Sequence, residues 1–131
     1  MGDPSGIGPE VTLQALRKPP AGIPISVIGD LNWLKAIARR HHWRIPWSRI
    51  DWVDLGNLSQ PIPLGRVSVA SGRAAWAYLQ EAFKRLKDHS AQGLVTAPVS
   101  KEAIVRAGFS WTGHTEALAK AFRTRTTMMF V

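Results

Sequence analysis

Apolar positions along the chain follow two rhythms. Leu31, Leu34, Ile37 and Ala38 recur at helical spacing and predict a helix from Leu31 to His42. Ala75, Leu79, Ala82 and Leu86 make a longer stripe, widened by Tyr78 and Phe83, and predict the longest helix over Gly72 to His89 with Ser71 as its N-cap. Between the helices lie short β-branched runs. Residues 25–30, 51–55, 93–97 and 126–131 predict strands, and 66–69 a short strand or extended run. Strands alternating with helices predict an α/β sheet protein.

Turn and cap residues refine the boundaries. Three glycines and a proline make Gly2 to Gly8 a loop, after which Pro9 suits the first turn of a helix through Val11 to Arg17. Glu10 sits in that first turn, against the positive end of the helix dipole, and Lys18-Pro19-Pro20 stops the helix. Ser100 can cap a helix from Lys101 to Ala107, which Gly108 ends. Gly113 can cap another that opens with His114-Thr115-Glu116 and runs through Ala117-Leu118-Ala119. Trp43, Trp47 and Trp52 crowd one connection and strand, where they are expected to pack rather than to stack on bases. Gly56 to Gly65 is an irregular excursion over the surface.

Composition changes this picture by exclusion. A 131-residue chain is one ordinary domain in size, and 45% hydrophobic with 20% charged residues is not the composition of a disordered one. No apolar run approaches the roughly 20 residues of a membrane helix. The glycine- and proline-rich opening with Asp3 is not a secretory signal. The chain has no cysteine, which removes disulfides, thiolate metal sites and cysteine nucleophiles, and fits a reducing cytoplasm. The formal net charge of +8 is spread over three groups on or beside helices: Arg39, Arg40 and Arg44; Lys84, Arg85 and Lys87; Lys120, Arg123 and Arg125. Solvated helix faces account for them. No zinc-finger spacing, RNP-like strand or helix-turn-helix accompanies the charge, so nucleic acid is not the expected partner. A phosphorylated small substrate or an acidic partner could use the same positive potential.

Four stretches could carry chemistry. The Gly2–Gly8 loop offers backbone N–H groups to a ligand, or is a tight connection only. Ala97-Pro98-Val99-Ser100-Lys101 would put a hydroxyl and an ammonium at the carboxyl edge of a sheet strand, where open α/β sheets bind ligands; taken alone, the stretch favours a capping serine and a solvated lysine. The His41-His42 pair points two ways on a helix and lies among arginines, so it is a solvated helix end and not a metal site. His114 at a helix start has its neutral form favoured by the dipole, and with Thr115 it could hydrogen-bond a polar or phosphorylated substrate.

Three of these stretches together resemble one family. Met1-Gly2-Asp3-Pro4-Ser5-Gly6-Ile7-Gly8-Pro9-Glu10, Leu94-Val95-Thr96-Ala97-Pro98-Val99-Ser100-Lys101 and Trp111-Thr112-Gly113-His114-Thr115-Glu116 are similar, in order and spacing, to 4-hydroxythreonine-4-phosphate dehydrogenases. Gly-Ile-Gly-Pro-Glu also resembles isocitrate and isopropylmalate dehydrogenases. The resemblance implies part of an isocitrate/isopropylmalate dehydrogenase-like three-layer α/β fold, incomplete at both ends. Residues 1–131 would be the amino-terminal portion of a two-domain enzyme, with no internal boundary placed.

The implied reaction is the NAD-dependent (or NADP-dependent), metal-assisted oxidation and decarboxylation of 4-phosphohydroxy-L-threonine in pyridoxal phosphate biosynthesis, carried out by a cytoplasmic homodimer. The metal would be a divalent ion such as zinc, magnesium or cobalt. By motif, the substrate-contacting His and Thr fall on His114 and Thr115; the motifs assign no catalytic or cofactor-binding residue, and the family's metal ligands match no residue of this chain. The family's strand before the Gly-Asp-Pro loop and its three metal-ligand histidines lie outside these residues. The chain is therefore expected to be an amino-terminal fragment, inactive and prone to self-association alone. The alternatives are a dehydrogenase of another phosphorylated four-carbon hydroxy acid, or a non-catalytic truncated remnant.

Overall fold

A computed structural model describes residues 1–58, 62–110, 112–127 and 129. The elements, in chain order, are α1 (Gly8–Leu16), β1 (Ser26–Gly29), α2 (Leu31–Arg40), β2 (Asp51–Asp54), α3 (Val69–Lys87), α4 (Lys101–Arg106) and α5 (His114–Phe122), with a 3-10 turn at Trp47–Arg49 before β2. β1 and β2 pair in parallel, Ser26 opposite Asp51 and Gly29 opposite Asp54. A parallel pair needs a crossover, and α2 supplies it, giving one βαβ unit.

The first core is built around that unit. Leu13 and Leu16 of α1, Val27 of β1, Leu34, Ile37 and Ala38 of α2, and Ile45 and Ile50 close on one another. Trp33, Trp43, Trp47 and Trp52 pack half-buried around them, as expected of packing residues. Burying a side chain such as Leu13 or Leu34 contributes about 1.5–3 kcal/mol. Both are almost wholly inaccessible to solvent. Asp30 makes the turn between β1 and α2: its carboxylate accepts from Trp33 N at 2.9 Å as the N-cap and from Leu58 N at 3.2 Å. Asp54, at the end of β2, accepts from Leu31 N at 3.0 Å. Two carboxylates thus tie together the carboxyl ends of both strands.

The second core belongs to α3. Ala75, Leu79 and Phe83 meet Ile104 of α4, with Leu94, Val99, Phe109 and four α5 residues around them. The predicted stripe is buried as read, except for Leu86, which is partly exposed. The cap differs. α3 begins at Val69 with Ser68 as N-cap, its hydroxyl accepting from Ser71 N at 3.0 Å, while Ser71 lies inside the helix, fully buried, and donates to the Ser68 carbonyl. Two serines three apart compete for the cap, and the one that leaves Val69 helical wins. The 66–69 run accordingly contains no strand.

The expected strand at 93–97 is corrected as well. No strand is assigned there, and Val95 is 98% exposed. Strand propensity needs a pairing neighbour to be realised, and the described sheet is β1 and β2 alone. In the expected strand at 126–131, Thr126, Thr127 and Met129 are not in a strand, and Met128, Phe130 and Val131 lie outside the described residues.

Candidate functional site

The Gly2–Gly8 loop is built from its own backbone. Asp3 turns the chain by accepting from Ser5 N at 2.8 Å through its carboxylate and from Gly6 N at 3.1 Å through its carbonyl. Asp3, Pro4 and Ser5 are buried. The loop is strapped to three elements: Asp3 N donates to Pro98 O at 2.9 Å, Gly65 N to Ser5 O at 2.7 Å, and the Trp33 indole to Pro4 O at 2.9 Å. The nitrogen of Met1 reaches Ile28 O at 2.7 Å. Residues 1–3 therefore lie between β1 and the Ala97-Pro98 segment. Gly2, at φ +68°, is needed here because a Cβ would overlap the Pro98 carbonyl oxygen. The loop's N–H groups at Asp3, Ser5 and Gly6 are engaged within the protein, which favours the connecting role over a ligand cradle.

Ser100 and Lys101 take their bland roles. The Ser100 hydroxyl accepts from Ala103 N at 3.1 Å as the N-cap of α4, and Lys101 is exposed. His41 and His42 are exposed at the end of α2, with His41 Nε2 3.1 Å from Glu10. Among the described residues there is no group of three or more His, Asp or Glu able to hold a metal ion.

The start of α5 has a different character. Gly113 is the N-cap in an extended conformation and offers no side chain, and the first helical bond runs from Ala117 N to Gly113 O at 3.1 Å. The amides of Thr115 and Glu116 thus precede the helical ladder and point along the positive end of the dipole. His114 and Thr115 are adjacent and half-buried in that first turn. Burial pushes the His114 imidazole below its ordinary value of 6.5, so it is neutral at pH 7. The Thr115 carbonyl accepts from the Thr126 hydroxyl at 3.2 Å, which ties the chain after α5 back to its first turn. Trp111, the first residue of the motif, lies outside the described residues.

Beside this helix start runs a groove of about 790 Å³ between α3 and α5, lined by Trp76, Phe83 and Phe109 and by charges of both signs, Lys84, Lys87 and Lys120 with Asp88 and Glu116. In the sequence these lysines stand only as solvated helix faces, and the packing of α5 on α3 brings them to one groove.

The family model "Pyridoxal phosphate biosynthetic protein PdxA" matches residues 17–131. A D-threonate 4-phosphate dehydrogenase of Cupriavidus necator is 34% identical over 91% of this chain and 40% of its own length. A 4-hydroxythreonine-4-phosphate dehydrogenase of a Synechococcus strain is 38% identical over 100% of this chain and 42% of its own length. Solved structures of 4-hydroxythreonine-4-phosphate dehydrogenases show the same fold. That from Burkholderia phymatum superposes with TM-score 0.86 at 28% identity, over 96% of this chain and 43% of that one. That from Klebsiella pneumoniae gives 0.82 at 27%, over 94% and 42%. The chain thus spans about 40% of the length of the curated relatives it matches. With its α/β architecture, its helix-opening Gly-His-Thr-Glu and a family match over most of its length, the chain belongs to the family of the pyridoxal phosphate biosynthetic protein PdxA.

Proposed function

We propose that this chain supplies the phosphate-recognising part of a dehydrogenase acting on 4-phosphohydroxy-L-threonine, with His114 and Thr115 as its substrate contacts. The observation that carries the reading is the start of α5: a neutral imidazole and a hydroxyl on one half-buried helical turn, beside amides that precede the helical ladder. A phosphate or hydroxyl group there gains N–H donors, the helix dipole and two side-chain partners. A neutral imidazole can donate to a phosphate oxygen from its protonated nitrogen.

The oxidation itself would use NAD or NADP, and a homodimer is the expected assembly. A divalent metal, when bound, would polarise the substrate hydroxyl and the ketone formed from it. The described residues do not make a ligand set for such an ion, and this chain is assigned no step through it.

A second reading has a specific observation behind it. Relatives named for D-threonate 4-phosphate and for 4-hydroxythreonine-4-phosphate match at similar identity, 34% and 38%. Both substrates are phosphorylated four-carbon hydroxy acids, and the contacts of His114 and Thr115 suit either. Calorimetric titration of the chain with each compound tests both readings. His114→Ala and Thr115→Ala should each weaken binding by about tenfold or more, since a hydrogen bond to a charged group contributes about 1.5–3 kcal/mol. Equal affinity in wild type and both variants would remove the pair from the substrate shell, and the tighter ligand decides between the two readings.

A further inference from the structure

The end of α2 and the turn after it form a site that the dehydrogenase reading does not use. Residues 31–50 contain five cations, Lys35, Arg39, Arg40, Arg44 and Arg49, and no carboxylate. Lys35 and Arg39 are one helical turn apart, hence on one face. Neither forms an ion pair among the described residues.

The chain then folds back over that face. His42 N donates to Arg39 O and Trp43 N to Ala38 O, at 3.1 and 2.9 Å, the bond pattern of a left-handed helix cap. The residue in the left-handed conformation is His42, at φ +53°, where glycine is usual. This reversal brings two tryptophans against the basic face. The result is an open groove of about 420 Å³ lined by Lys35, Ala38, Arg39, His42, Trp43 and Trp47.

Its aromatic wall is held in place. Trp43 stacks on the His41 ring, with centroids 4.4 Å apart and planes 19° apart. Trp47 packs against Trp52 at 5.0 Å, and the Trp52 indole donates to Trp47 O at 2.9 Å. The sequence shows these tryptophans only as packing residues, because the αL turn that aligns them with Lys35 and Arg39 leaves no mark in the hydrophobic pattern.

Unpaired cations beside fixed indole faces suit a ligand carrying both a phosphate and a flat ring. We propose that this groove binds one nucleotide unit, its base against Trp43 and Trp47 and its phosphate at Lys35 and Arg39. The unit is a free nucleoside phosphate or one residue of a single strand, and the recognition chemistry is the same. The site is independent of the substrate reading at α5.

The test measures binding of ADP and of a short oligodeoxyadenylate to the chain, with pyrophosphate and ribose 5-phosphate as controls without a base. The same titrations are run on the Lys35→Ala/Arg39→Ala variant, whose substituted residues are exposed and whose fold is checked by circular dichroism. The expected result is that ADP or the strand binds at least about tenfold tighter than either control, and that the double variant loses about tenfold. Binding of ADP assigns the free nucleotide, and binding of the strand alone assigns nucleic acid. Controls that bind as tightly as ADP and the strand would reduce the site to a basic patch. Unchanged affinity in the variant, or no binding of either nucleotide form, would overturn the proposal.

Discussion

Gly72 of α3 rests against the backbone of Ala103 in α4 so closely that a Cβ on Gly72 would overlap the Ala103 carbonyl oxygen. The two helices meet backbone to backbone, with Ala103 and Ile104 wholly buried in the contact. Alanine in place of glycine ordinarily strengthens a helix. Here the obstacle is main chain, which cannot rotate away. Gly72→Ala is expected to destabilise the chain by about 1–3 kcal/mol, the usual cost of overpacking, as a lower urea midpoint.

Tyr78 gives the opposite sign. Its ring belongs to the buried α3 stripe, but its hydroxyl is buried with no hydrogen-bond partner among the described residues. Burial, with the Asp30 and Asp54 carboxylates adding to it, pushes the phenol well above its usual range, so it stays neutral. Removing an unsatisfied buried hydroxyl while keeping the ring is expected to raise stability by about 1 kcal/mol. Thermal unfolding of Tyr78→Phe checks this, and a clear loss of stability would mean that the hydroxyl has a partner.

His114 makes stability depend on pH. Burial lowers its folded value below the ordinary 6.5. Above that value both folded and unfolded imidazoles are neutral and the group contributes nothing. As pH falls through it, the unfolded chain takes up the proton first, so stability declines until the folded value is reached and then levels off. Denaturation midpoints measured from pH 8 to pH 5 should show this decline. His114→Gln should flatten the part that lies just below the ordinary histidine value.

Much of this architecture was legible in the residues. The stripe through Leu34, Ile37 and Ala38 and the one through Ala75, Leu79 and Phe83 are buried as their spacing requires. Ser100 caps α4 and Gly113 stands before α5 as read. What failed depended on partners distant in sequence. Leu94-Val95-Thr96 has strand propensity and no strand pairing, and Ser68 takes the cap of α3 ahead of Ser71. For the candidate site, the place of His114 and Thr115 at a helix start was legible from the motif. Its burial, and the groove beside it, needed the packing of α5 on α3.

The exposed segment carries its own check. Val95→Thr changes an exposed side chain and should shift stability by less than about 0.5 kcal/mol. A loss of several times that would mean that Val95 is buried, as in the strand that the sequence pattern predicts.

On the proposed function, the first turn of α5 receives the phosphorylated substrate. Its test is to follow the amide chemical shifts of the isotopically labelled chain during titration with 4-phosphohydroxy-L-threonine and with inorganic phosphate. Saturable shifts centred on Gly113, His114, Thr115 and Glu116 are expected, larger for the substrate than for phosphate, and in His114→Ala saturating only at substrate concentrations about tenfold higher or more. Shifts centred elsewhere, or an α5 start indifferent to the substrate, would contradict it.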